Sequence, residues 1–183
     1  MAFDFKLSLT VSSGTATDRP QGASAVTDWI KKELQGFDDD DNDKKRRENR
    51  RNLILTLSSR LWGDLTAAIK AATDEINKEP ALRKRVGELK CRDGYTQKIE
   101  VDKSVIPAVY LTVINGGNEY SVERKFLLEV DGARGEERET LFLDLTDEDR
   151  VFMRKKNGEP LLTIDDAVHY LFAPLLHPEL LKR

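Results

Sequence analysis

The apolar positions of this chain change their period twice along its length. Across residues 52–77 they recur at spacings of three and four, which is the period of an amphipathic helix. Across residues 97–145 they alternate with polar positions, which is the period of strands with one buried face. Residues 164–172 return to the helical spacing. The pattern predicts an α+β fold in which a long helix and a C-terminal helix pack on one face of a mostly antiparallel sheet.

The alternating region predicts a sheet of four to six strands. Residues 108–114 are apolar almost throughout, which is typical of a central strand. Residues 119–130 alternate, and Arg124 occupies a position where an inward apolar side chain is expected. Leu141, Leu143 and Leu145 form the inward face of the following strand. Because the opposite face of these strands is charged, one layer of helices is enough to cover the sheet.

Residues 1–43 differ in pattern from the rest and are predicted to be an N-terminal arm. Every second residue from 3 to 11 is apolar, which predicts a strand. Ser24 is a suitable N-cap for a short amphipathic helix that ends at Gly36. The acidic run at residues 38–43 cannot bury apolar surface and predicts a solvated linker. The main domain is then residues 44–183, which open with the basic run at residues 44–51.

The composition favours one domain with an appendage, and its single cysteine either favours a reducing compartment or carries no information about redox state. The chain has 183 residues and a net charge of -3, so no overall charge attracts it to nucleic acid or anionic lipid. Its single cysteine, Cys91, cannot form an internal disulfide. No apolar run approaches the roughly 20 residues that span a bilayer. We therefore expect a cytoplasmic protein without a membrane segment.

The sequence contains no pattern that assigns catalytic residues, a metal site or a cofactor. It lacks the nucleophile-elbow, phosphate-loop and dinucleotide-binding glycine motifs. His169 and His177 have no cysteine nearby that would complete a zinc site. The acidic residues at 144–149 are interpreted as a solvated turn that ends a strand rather than as a cation site. We therefore expect no cofactor and assign no catalytic or metal-binding residue.

Arg124 is the residue that most suggests a ligand. A buried arginine must be paired, or its head group must reach water. It could serve as the polar anchor of a small-molecule pocket between helix and sheet, with Trp62 and Tyr110 as the other ligand-binding residues. The alternative is a structural position, either at a bulge or at a solvated strand end.

The triplet Glu123-Arg124-Lys125 lies on a predicted strand that follows a helix and two earlier strands. This order and the Glu-x-Lys spacing resemble the core of the restriction-endonuclease-like nucleases. The resemblance implies a magnesium-dependent nuclease in which Glu123 binds the metal and Lys125 assists the attacking water. In that family an aspartate on the preceding strand completes the site, whereas residues 108–114 contain no carboxylate.

The charge pattern at residues 44–51 does not favour nucleic-acid binding. The basic run at residues 44–51 is the best candidate for phosphate contacts, but it lacks interleaved aromatic residues and follows an acidic run that can neutralise it. We therefore do not expect nucleic acid as a partner.

The patterned arm and the leucine-rich C-terminal tail lead us to expect an interaction module that self-associates or joins a larger assembly. A small-molecule binding domain and the nuclease remain as alternatives.

Overall fold

The structure of the chain is a computed structural model that describes residues 22–94, 97–128 and 134–182. Its helices are α1 (Gly22–Lys78), α2 (Pro80–Val86) and α3 (Ile164–Leu176), and a short 3-10 helix follows at Pro178–Lys182. The strand predicted at residues 3–11 lies outside the described residues. The strands are β1 (Leu89–Gly94), β2 (Lys98–Lys103), β3 (Ala108–Asn115), β4 (Glu119–Leu127), β5 (Arg134–Leu145), β6 (Val151–Arg154) and β7 (Pro160–Leu161).

The chain divides into two units, residues 1–45 and residues 46–183. In the described part of the first unit the backbone is helical from Gly22 onward. The acidic run at residues 38–43 is therefore helical, where a linker was predicted, and Gly36 does not end a helix. Aspartates at 40 and 41 precede lysines at 44 and 45 at the i, i+4 spacing, and acid before base at this spacing favours a helix.

In the second unit the seven strands form one antiparallel sheet in which each strand pairs with its neighbour in sequence. The predicted α+β class is confirmed, but the predicted count of four to six strands is too low. The two edge strands explain the difference. β7 has only two residues, and β1 shows little alternation because residues 92–94, its second half, are Arg, Asp and Gly.

One face of the sheet carries the core, and both α1 and α3 pack on it. A single cluster of buried side chains includes Leu65 and Ile69 from α1, Leu171 and Leu175 from α3, and inward residues of the strands. The inward strand residues of this cluster are Leu89, Ile99, Val101, Val109, Leu111, Val113, Tyr120, Val122, Leu141, Leu143, Leu145, Met153 and Leu161. The alternation read from the sequence therefore corresponds to one buried face and one exposed face.

Tyr120 on β4 is the largest fully buried side chain in this cluster. Its ring packs edge-on against Trp62 of α1, with ring centres 5.3 Å apart, and its hydroxyl donates to the carbonyl of Ser58 at 3.4 Å. Burial raises the pKa of the Tyr120 hydroxyl above its usual value. The contact places the middle of α1 over β4.

Asn77 fixes the C-terminal end of α1 against the edge strand β1. Its side-chain Nδ2 donates to the carbonyl of Leu89 at 2.8 Å, and the Leu89 amide donates to Asn77 Oδ1 at 2.9 Å. The side chain thus satisfies backbone groups that an edge strand would otherwise present to a second chain. None of the described helices has the length and apolar character needed to cross a membrane.

We predict that Gly87→Ala destabilises the fold by about 1–3 kcal/mol. Gly87, the C-cap of α2, has a φ of 84°, and an added Cβ would lie 2.6 Å from Cγ2 of Val105. Gly63→Ala is the matched control. Apart from the neighbouring residues and backbone of α1 itself, no atom lies within 4 Å of its added Cβ, so this change should stabilise by about 0.5–1 kcal/mol. Urea unfolding measures both variants, and equal stability of the two would contradict the prediction.

Candidate functional site

Arg124 lies on the inner face of β4, as the alternation predicted, and only 4% of its surface is exposed. Its guanidinium forms an ion pair with Glu139 on β5 and lies 5.4 Å from the centre of the Tyr170 ring on α3. The Tyr170 hydroxyl donates to the same carboxylate. Burial and this hydrogen bond raise the pKa of Tyr170 to about 12, so the hydroxyl keeps its proton at neutral pH. Arg124 is thus part of a polar network that joins β4, β5 and α3.

The structure does not bring the three predicted ligand-binding residues together. Trp62 packs against Tyr120 on the inner side of the sheet. Tyr110 alternates to the outer face of β3, where it pairs in register with Lys125 and is 44% exposed. Lys125 and Arg124 are neighbours on β4, and neighbouring residues of a strand point to opposite faces. Tyr110, which pairs with Lys125, therefore lies on the opposite side of the sheet from Arg124.

Glu123 and Lys125 also point to the outer face. Lys125 Nζ is 3.5 Å from Glu123 Oε1, and Arg138 on β5 reaches the same oxygen at 3.0 Å. In register, the residue of β3 opposite Glu123 is Thr112, so that strand brings no second carboxylate beside it. Among the described residues, no group of three or more His, Cys, Asp or Glu side chains is arranged to hold a metal ion.

The basic run has a partner that sequence reasoning missed. Arg50 donates to Asp144 Oδ1 at 2.8 Å and to the carbonyl of Leu145 at 2.6 Å, across 94 and 95 positions of sequence. Partial burial alone would raise the pKa of Asp144. Hydrogen bonds from Arg50 and from the Leu145 amide, with the charges of Arg50 and Arg154, outweigh burial and hold that pKa below its usual value. Part of the run is therefore a structural contact between α1 and the end of β5.

A groove of about 480 Å³ runs between α1, α2 and α3. Each long helix contributes one stripe of side chains at spacings of three and four, so both stripes face the same space. Leu82 of α2 lies at one side and is 37% exposed. The lining residues on α1 are Ala72, Glu75 and Ile76, and Glu79 follows the end of that helix. The lining residues on α3 are Asp165, Val168, His169, Phe172 and Leu176.

The groove combines an apolar floor with acidic sides. Ile76 and Phe172 are almost fully buried and form part of the floor. Glu75, Glu79 and Asp165 carry three negative charges, and no lysine or arginine is among the lining residues. The sequence pattern located both helices, but it could not show that α2 leaves this space open between them.

The chain matches no protein-family model, no curated protein and no solved structure. Its functional interpretation therefore depends on the geometry of its own residues.

We predict that Glu139→Gln lowers the free energy of unfolding by roughly 3–5 kcal/mol, because it leaves the buried charge of Arg124 without its partner. Arg124→Met should cost less, since the Glu139 side chain is 25% exposed and can be hydrated. The double variant should recover much of the loss of Glu139→Gln. Chemical denaturation of the three variants measures their free energies of unfolding. Additive losses would show that the two side chains do not depend on each other.

A second prediction concerns acid stability. The folded-state pKa of Asp144 is depressed, so its contribution is complete above its ordinary value of 3.8 and is lost as pH falls through the lower folded value. Asp144→Asn should therefore be less stable than the wild type at neutral pH, and the difference should shrink below about pH 4. Thermal unfolding from neutral to acid pH measures it. A constant difference across the range would contradict the assignment.

Proposed function

We propose that this chain is a non-enzymatic interaction module that binds a basic, amphipathic helix of a protein partner in the groove between α1, α2 and α3. The observation that carries the proposal is the pairing of an apolar floor with three carboxylates, with no lysine or arginine among the lining residues. An interaction module is also what the patterned arm and leucine-rich tail favour in the sequence.

The shape of the groove suits a helix. The α3 stripe extends from Asp165 to Leu176, which is about 16 Å at roughly 1.5 Å per residue. Two stripes at spacings of three and four that line one groove provide a space into which a third helix can place a ridge of its own side chains. An amphipathic ligand helix with apolar residues at i, i+3, i+4 and i+7 uses this binding mode.

The charge of the groove selects the ligand. The carboxylates of Glu75, Glu79 and Asp165 border the floor, so the polar flanks of a bound helix lie beside negative charge. Lysines or arginines on those flanks would be attracted, and acidic flanks would be repelled. Because these contacts are at a solvent-exposed rim, they should contribute to selectivity and to the association rate more than to the total affinity.

A designed peptide of about 14 residues tests the proposal. It carries leucines at i, i+3, i+4 and i+7 and lysines at the flanking positions, and a scrambled peptide of the same composition is the control. We expect saturable binding of the patterned peptide in fluorescence anisotropy, weakened by added salt. The double variant Glu75→Lys/Glu79→Lys should bind about tenfold or more weakly, because attraction at the rim becomes repulsion.

The matched control protein is Asp147→Lys/Glu148→Lys, which changes the net charge equally at an exposed turn outside the groove. It should bind nearly as tightly as the wild type. Equal binding of the scrambled peptide, or an equal loss in the control protein, would contradict the proposal. Native mass spectrometry of the full-length protein adds a further test. A homodimer that dissociates in the Glu75→Lys/Glu79→Lys variant would assign the groove to a second copy of the chain.

A further inference from the structure

A second cleft, of about 310 Å³, lies where α1 crosses the end of β5, well separated in sequence from the groove residues of α1. Arg47, Arg50 and Arg51 line it from α1, and Arg154 lines it from β6. The other lining residues are Ile54, Asn118, Phe142, Leu143 and Asp144. Four guanidinium groups thus surround a space that contains one carboxylate, in a chain whose net charge is -3.

The single carboxylate is already used by two of these arginines. Asp144 Oδ1 accepts from Arg50 at 2.8 Å, and Asp144 Oδ2 lies 3.4 Å from Nε of Arg154. This arrangement fixes both guanidinium groups at the wall of the cleft. Nε of Arg154 is buried beside this carboxylate, which is its ion-pair partner, although the two atoms do not form a hydrogen bond.

The other two arginines have spare donors. Arg47 and Arg51 are one helical turn apart on α1, so their side chains lie on the same face. Within the part of the chain that the structure describes, neither forms an ion pair or a side-chain hydrogen bond. Their mutual repulsion, added to that of Arg50 and Arg154, favours an anion in the cleft.

We propose that this cleft binds the phosphate group of a small phosphorylated molecule through Arg47, Arg51 and Arg154, with Asn118 beside it. The guanidinium group presents paired N–H donors that match the spacing of phosphate oxygens. Several such groups around one small space suit a compact, multiply charged oxyanion. This site is independent of the helix-binding groove and of the function proposed for it.

The surroundings favour a compact ligand over a polynucleotide. Asp149 lines the adjoining cleft beside Arg47 and Arg50, and Glu148 precedes it in the same turn. These carboxylates would repel the continuing backbone of a nucleic acid strand. A single phosphate or diphosphate group can avoid them, because its charge is confined to the arginine-lined space.

Calorimetric titration with pyrophosphate, in chloride buffer of about 0.15 M ionic strength, tests the proposal. We expect saturable binding to the full-length protein. Arg47→Gln/Arg51→Gln should weaken the affinity about tenfold or more, because two charged guanidinium groups are removed. The matched control is Arg60→Gln/Arg134→Gln, in which two exposed arginines outside the cleft are changed and affinity should be retained. Absence of saturable binding, or an equal loss in the control, would overturn the proposal.

Two further measurements make the test independent of variant folding. In the wild-type protein, the side-chain Nε–H signals of Arg47, Arg51 and Arg154 should shift in NMR spectra on addition of pyrophosphate, while that of Arg60 should not. The second is a titration with a single-stranded oligonucleotide. Binding of the oligonucleotide without binding of pyrophosphate would overturn the proposal in favour of a polynucleotide site.

Discussion

The apolar inner face of the sheet can be buried only if α1 and α3 pack across it. The positions of the other elements in residues 46–183 depend on this requirement. Each strand pairs with its neighbour in sequence, so the strands together make one continuous apolar surface. Its burial contributes the main favourable free energy of the fold. Tyr120 shows the match most directly, since it packs against Trp62 and bonds to the backbone of α1.

The Arg124–Glu139–Tyr170 network is a polar interruption of this apolar face. Arg124 and Glu139 come from neighbouring strands and Tyr170 comes from α3, so the three meet only when β4, β5 and α3 are in their observed positions. A shift of either strand by one residue would move one partner to the outer face. Two of the Arg124 nitrogens, Nε and Nη2, are buried without partners among the described residues, which makes the network costly to maintain. We interpret its value as specificity of strand register rather than net stability.

The long helix separates opposite charges along its length in the second unit. At the start of the part of α1 in the second unit, Arg50 binds Asp144, and Arg47 and Arg51 line the arginine-lined cleft. Near its end, Glu75 faces the helical groove and Glu79 follows. A chain with little net charge therefore presents two surfaces of opposite sign, each beside apolar side chains. We propose that each surface selects its ligand by charge, and neither surface is visible in the total charge of the sequence.

The sequence alone determined the class of fold and the inward-facing residues of β4 and of the end of β5. Alternation at a period of two and spacings of three and four depend only on local backbone geometry. For the same reason it placed Arg124 inward on β4 and located both long helices. It underestimated the sheet, because short edge strands such as β7 have too few residues to show a period. It also expected a linker at residues 38–43, where local charge spacing supports a helix.

Only the tertiary structure decided which side chains meet. Tyr110 and Arg124 were grouped by their chemistry, but the two faces of the sheet separate them. Arg50 and Asp144 are 94 positions apart, and no local pattern relates them. The groove and the arginine-lined cleft are spaces between elements, so they depend on how far apart packed helices and strands lie. Periodicity specifies the direction in which a side chain points, whereas distance between elements is set by the packing of the whole core.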